Sequence, residues 1–246
     1  MTRLPNPVWP CLLMCLPIWL MQAPPAAAEV LDKTASINGL TLHYKVVLPK
    51  SFDPAKSYPA VLAFPPGGQD MEMVDATLSQ NFRDQAEQRG YIVIEPAAPN
   101  GTLFFEGGER VFPAFLIKLT GDYKILDNKF HVAGNSNGGL SAFLIASKYP
   151  QFFWSVTGFP GYLDSGTPQQ MAALGKMCIH MFAGERDSGW PEAMRDQAAK
   201  FRSLGYNVTF AIEKGQPHVI RTLTGAGAAR LFDQFDAART GHCAQG

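Results

Sequence analysis

From residue 29 onward, short β-rich runs alternate with amphipathic stretches, and this alternation constrains the fold more than any other feature of the chain. A strand that returns parallel to its predecessor needs a long crossover, usually a helix, so the pattern predicts a mainly parallel sheet with helices on its faces. Runs at 40–48, 58–64, 91–95, 129–133, 154–159, 177–183 and 207–212 read as about seven strands, the first of them half-exposed and antiparallel. Helical spacing covers 73–89, 137–148, 191–204 and about 227–239. Gly90 and Gly205 sit just past two of these helices, where a left-handed residue closes a helix without steric cost. With 246 residues and 46% hydrophobic content, the chain suits one substantial domain, 29–246, and shows no internal repeat.

The first 28 residues have a different character. Arg3 supplies a positive start, residues 8–21 are mostly apolar, and Ala26-Ala27-Ala28 offers small side chains for cleavage, so 1–28 reads as an export signal and the mature protein as periplasmic or secreted. Pro7, Pro10 and Pro17 interrupt a stretch already short for a bilayer span, so no stable membrane anchor is expected after cleavage. The formal net charge of zero excludes the basic footprint that a nucleic-acid partner requires. Cys178 and Cys243 would remain after cleavage, free to pair if their Cα atoms lie within about 7 Å and otherwise two separate thiols.

The segment 130–140, Phe-His-Val-Ala-Gly-Asn-Ser-Asn-Gly-Gly-Leu, runs from a β stretch through Gly134-x-Ser136-x-Gly138 into a helix. A serine on so tight a strand-to-helix turn projects its hydroxyl above the sheet, and flanking glycines tolerate the cramped backbone. The helix N-terminus then faces the reaction centre, with the Asn137 N–H as a donor to a developing oxyanion. A phosphate-binding turn is excluded, because Ser136 falls where a dinucleotide fingerprint needs glycine and the Lys-Ser/Thr of a phosphate loop is missing.

A serine nucleophile needs a base and an orienting acid. Strand 177–183 leads into Asp187, and strand 207–212 leads into His218, so both emerge where active sites of open α/β sheets collect. Glu185 is a rival acid on the same loop and Asp164 a more distant one. His43, His131 and His180 fall within strands and His242 in the terminal tail, which makes them structural rather than catalytic. The second oxyanion donor should come from the loop after strand 58–64, with Gly67 first and Gly68 next, since Pro65 and Pro66 have no N–H to donate. No metal-ligand spacing and no cofactor motif is present, so neither is expected.

These residues resemble the secreted α/β-hydrolases related to poly(3-hydroxybutyrate) depolymerases and feruloyl or acetylxylan esterases. The resemblance runs through Phe64-Pro65-Pro66-Gly67-Gly68-Gln69, Pro96-Ala97-Ala98-Pro99-Asn100-Gly101, Ser136-Asn137-Gly138-Gly139 and the Asp187 and His218 loops. Such relatives carry His-Gly where this chain has Pro65-Pro66, and 102–120 lacks their pattern. The resemblance implies an α/β-hydrolase fold and hydrolysis of carboxylic esters, and the length of 29–246 leaves little or no sequence for a lid, so a small or a polymeric ester is the expected substrate. Phe104, Phe105 and Trp190 are the expected substrate-lining aromatics. A peptidase of the same fold and a noncatalytic secreted binder are the competing readings.

Overall fold

The computed structural model describes residues 1–2 and 29–243; nearly all of the N-terminal stretch read as an export signal lies outside them. Eight strands among the described residues form one sheet: β1 (Glu29–Ile37), β2 (Leu40–Leu48), β3 (Tyr58–Phe64), β4 (Ile92–Pro96), β5 (Ile125–Gly134), β6 (Phe153–Gly158), β7 (Cys178–Gly184) and β8 (Val208–Glu213). Their order is β1-β2-β4-β3-β5-β6-β7-β8, antiparallel across β1-β2-β4 and parallel from β4 to β8. The sheet therefore has one strand more than the sequence pattern predicts. β1 escapes a pattern search because most of its residues are exposed and several are charged, so it shows little apolar signal.

Helices cover both faces. On one side lie α1 (Met71–Thr77), α2 (Arg83–Arg89) and α7 (Ala229–Arg239); on the other lie α3 (Phe112–Asp122), α4 (Asn137–Lys148), α5 (Pro168–Leu174) and α6 (Trp190–Ser203). The helix predicted over 73–89 is broken: a π turn at Leu78–Phe82 separates α1 from α2, burying Leu78 and Phe82 against the sheet. Gly90 ends α2 in the left-handed region at φ 73°, as its position implies. No described helix is long and apolar enough to cross a membrane.

The chain reverses direction across the sheet at β3. β4 lies on one side of it and β5 on the other, with Phe64 and Gly134 paired at their carboxyl ends. Loops leaving neighbouring strands to opposite sides open a crevice at such a switch point, and ligands of open α/β sheets bind there.

Beneath α7 the sheet carries a buried polar row. His131 Nδ1 lies 2.8 Å from Ser155 Oγ, and His180 Nδ1 lies 2.9 Å from Thr209 Oγ1. Phe235 of α7 stacks on His131 at 5.0 Å. A disulfide joins Cys178, the first residue of β7, to Cys243 beyond the end of α7, with Cα atoms 5.3 Å apart. The pairing that the sequence leaves open is thus made, and it fastens the C-terminal end of α7 to the sheet.

The 65-residue separation of the cysteines places the loop-closure contribution at about 4 kcal/mol. Cys243→Ser should lower the melting temperature by about 10 °C in a calorimetric scan, and an unchanged value would contradict the constraint. Burial drives His131 down to about 3 and His180 down to about 4 from 6.5. The unfolded chain then takes up protons near pH 6.5 that the folded one refuses, so this stability is present above about 6.5 and lost as pH falls toward 4 and 3. Glu95, fully buried and pushed up by that burial, acts with the opposite sign, losing stability as pH rises above its ordinary 4.5. Two histidines outweigh one glutamate, so the unfolding free energy from urea titrations should rise by about 1 kcal/mol per pH unit between pH 4.5 and 6.5. His180→Gln should flatten that rise, and an equal slope in both proteins would contradict it.

Candidate active site

At the end of β5 the backbone turns sharply into α4, and Ser136 occupies the corner at φ 58° and ψ −122°. This region is costly for a residue with a side chain and persists only where the surroundings dictate it. The surroundings do. The Ser136 N–H donates to the Pro160 carbonyl at 2.8 Å, the Phe159 N–H to that of Gly134 at 3.0 Å, and the Asn135 N–H to that of Phe64 at 3.4 Å. A Cβ on Gly134 would collide with the Gly138 carbonyl, on Gly138 with the Phe64 carbonyl, and on Gly139 with the Pro160 carbonyl. Three glycines therefore let the first turn of α4 press against the ends of β3, β5 and β6.

His218 and Asp187 stand on the loops after β8 and β7, and both meet Ser136. His218 Nε2 lies 2.8 Å from Ser136 Oγ, and His218 Nδ1 lies 2.7 Å from Asp187 Oδ2. A carboxylate can only accept, so Nδ1 carries the hydrogen and Nε2 keeps its lone pair for the serine hydroxyl. The Asp187 side chain is 7% exposed and that of His218 36%, which puts the acid underneath and the imidazole at the surface. Such a line can draw the proton from a serine hydroxyl while keeping the imidazole in one orientation.

The two loops are tied to each other. The Arg186 N–H donates to the Gln216 carbonyl at 2.8 Å, and the Glu185 N–H to that of Glu213 at 3.0 Å. Gly184 faces the Pro217 carbonyl so closely that no Cβ fits between them. Glu185 is occupied elsewhere, because its carboxylate accepts the Gly215 N–H at 2.7 Å. Asp164 is exposed on the loop after β6. At the base of the His218 loop, the two terminal guanidinium nitrogens of Arg230 donate to Glu213, at 2.7 and 2.9 Å, and hold its carboxyl below the usual range. Glu213 and Gln216 were not among the residues the sequence singles out, since nothing in their spacing distinguishes them from ordinary loop polar groups.

The loop after β3 lies over the start of α4. Gly67 and Gly68 are exposed there, Gly67 at φ 59°, and the Gly67 carbonyl accepts from Asn137 Nδ2 at 2.9 Å. Of the expected substrate-lining aromatics, Trp190 sits at the site: its ring meets His218 edge-on at 5.1 Å, backed by Tyr162 at 5.4 Å. Phe104 does not. It is fully buried between Phe64 and Phe112, with centroids at 5.3 and 5.1 Å, so it belongs to the core and cannot contact a ligand. Phe105 is half-buried on the same turn, and no ring contact among the described residues joins it to His218. His43 is exposed on β2, His131 and His180 are buried beneath α7, and His242 is exposed near the C-terminus, so none competes with His218. Among the described residues no cluster of three metal-ligating side chains occurs.

No family model matches the sequence, and no curated protein matches it. Solved structures do match. A thermostable esterase superposes with a TM-score of 0.61 at 18% identity, over 75% of this chain and 54% of its own. A putative dipeptidyl aminopeptidase IV from Bacteroides ovatus gives 0.67 at 15% identity, over 85% of this chain and 36% of its own. A mutant of the feruloyl esterase module from Clostridium thermocellum, complexed with sinapinate, gives 0.63 at 16% identity over 91% of both chains. This chain thus spans about half the length of the first of these and about a third of the second. Its mostly parallel eight-stranded sheet, helices on both faces and sharp turn between β5 and α4 make this chain an α/β-hydrolase fold.

Proposed function

We propose that this protein hydrolyses carboxylic esters through an acyl-enzyme, with Ser136 as nucleophile, His218 as general base and Asp187 as orienting acid. The observation that carries the reading is the unbroken Asp187–His218–Ser136 line, 2.7 and 2.8 Å, at the N-terminus of α4. His218 takes the Ser136 proton as Oγ attacks the ester carbonyl, then returns it to the departing alcohol. A water activated by the same imidazole releases the acid. The oxyanion formed at each step is met by main-chain N–H groups, that of Asn137 at the helix start and that of Gly67 across from it, with Gly68 as the adjoining candidate.

Ester hydrolysis is supported by the fold shared with a thermostable esterase and a feruloyl esterase module, and by the resemblance of Ser136 to Gly139 and of the Gly67-Gly68-Gln69 loop to secreted polyester and feruloyl esterases. Exposed Gly67, Gly68, Ser188, Gly189 and Val219 around a half-buried Ser136 suit a bulky or polymeric substrate, with Trp190 as the aromatic that borders it. Export belongs to the same proposal: the Cys178–Cys243 disulfide fits an oxidising compartment, as does the composition of residues 1–28. Amide hydrolysis is the second reading, favoured by the fold shared with the putative dipeptidyl aminopeptidase. Matched ester and anilide substrates separate the two, the ester being turned over faster on our reading.

Kinetics of point variants test the roles. Ser136→Ala and His218→Ala should each lower kcat on p-nitrophenyl esters by roughly 10³-fold or more, and the double variant should be little worse than either alone. Asp187→Asn should be severe and Glu185→Gln mild. Normal turnover in either of the first two variants, or the reverse order for the two acids, would reject the assignment.

A further inference from the structure

The tip of the β3–α1 loop has little packing of its own. Gly67 and Gly68 are exposed, and a methyl at either would meet no more than the Met73 side chain at 3.8 Å or the Asp70 carboxylate at 3.6 Å. Donors that stabilise an oxyanion have to be aimed before the charge develops, because a donor that must first be ordered returns part of its gain. The direction of these N–H groups must therefore be set from the ends of the loop.

Gln69 sits at one end, and all of its polar atoms are engaged. It is fully buried. Its Nε2 donates to Ser141 Oγ at 3.0 Å and to the Pro65 carbonyl at 3.3 Å, while its Oε1 accepts the Phe104 N–H at 2.9 Å. Its own N–H donates to the Pro66 carbonyl at 3.1 Å, and its carbonyl accepts the Ala98 N–H at 2.7 Å. One residue thus joins the loop to α4 five residues beyond Ser136, to the exit of β4 and to the turn at Phe104–Glu106. It does so at φ 54°, in the left-handed region that a side chain disfavours, so the bonds hold a conformation the residue would otherwise leave.

We propose that Gln69 is a positioning residue for the hydrolytic step: its bonds to Ser141, Pro65 and Phe104 hold the Gly67 and Gly68 N–H groups in place against the start of α4. The proposal rests on the reading of Ser136 as nucleophile. Gln69 touches neither substrate nor reacting atoms, so its contribution lies in where the donors point. Removing its amide leaves the Phe104 N–H and the Pro65 carbonyl buried without partners, and these would reorganise the loop to find others. The tether at the tip, Asn137 Nδ2 to the Gly67 carbonyl, is exposed and cannot replace it alone.

The test compares wild type, Gln69→Met and Ser141→Ala. Met fills nearly the same volume without the amide, and Ser141→Ala removes one partner while leaving the glutamine. Steady-state turnover of p-nitrophenyl butyrate, the rate of fluorophosphonate labelling and the folded fraction by circular dichroism are measured together. Gln69→Met should lose about 10- to 100-fold in kcat per folded molecule with KM changed less than about threefold. Labelling should slow in parallel, because the phosphoryl oxygen uses the same donors, while the pH profile keeps its wild-type shape. Ser141→Ala should lose about threefold by the same pattern. A Gln69→Met protein with normal kcat per folded molecule overturns the proposal. If that variant does not fold, a folded Ser141→Ala with unchanged kcat and labelling overturns it instead. Folded wild type with neither turnover nor labelling removes the nucleophile reading itself, a different result from active wild type beside an unaffected variant.

Discussion

The close approach of the first turn of α4 to the ends of β3, β5 and β6 is the contact on which the candidate site depends. Carbonyls of Phe64, Gly138 and Pro160 occupy the space where side chains of Gly138, Gly134 and Gly139 would be, so glycine is demanded at each position. That approach forces Ser136 into its strained corner and lifts the hydroxyl clear of the sheet. It also brings the loop after β3 over the helix N-terminus, where the positive end of the helix dipole lies. Strain at Ser136 and the space around it thus have one cause.

The far side of the site is built differently. His218 and Asp187 stand on loops without regular structure, and their position comes from main-chain bonds between the loops and from the Arg230 clamp on Glu213 at their root. Arg230 belongs to α7, whose C-terminal end is fastened to β7 by the Cys178–Cys243 disulfide. A connected set of contacts therefore runs from the covalent tie through α7 to the imidazole loop. The acid is buried and the imidazole half-exposed, an order that keeps the carboxylate away from competing water while leaving His218 open to a substrate.

Much of this was legible in the chain because each feature has a local chemical signature. Strands buried on both faces write themselves as apolar runs, and the turn at Ser136 writes itself as glycines at fixed offsets. Asp187 and His218 could be chosen from their places after two such strands. Other features have no local signature. β1 is mostly exposed at the sheet edge and lacks the apolar alternation that marks a strand. The π turn at Leu78–Phe82 is set by what the helix must bury, which a 3.6-residue period does not reveal. In the sequence Phe104 reads as a cleft residue, because a phenylalanine in a loop looks alike whether it faces ligand or core, and only the Phe64 and Phe112 rings around it decide. The pairing of Cys178 with Cys243 likewise depended on where α7 ends in space.

The proposed function requires that the Ser136 hydroxyl, and no other group, be activated for attack on an acyl or phosphoryl centre. Peptide mass mapping after brief exposure of the folded protein to a fluorophosphonate addresses it most directly. A single adduct is expected on the peptide containing Ser136, and none when His218 is replaced by alanine. An adduct on a different side chain, or an unmodified Ser136 in protein shown to be folded, would contradict it.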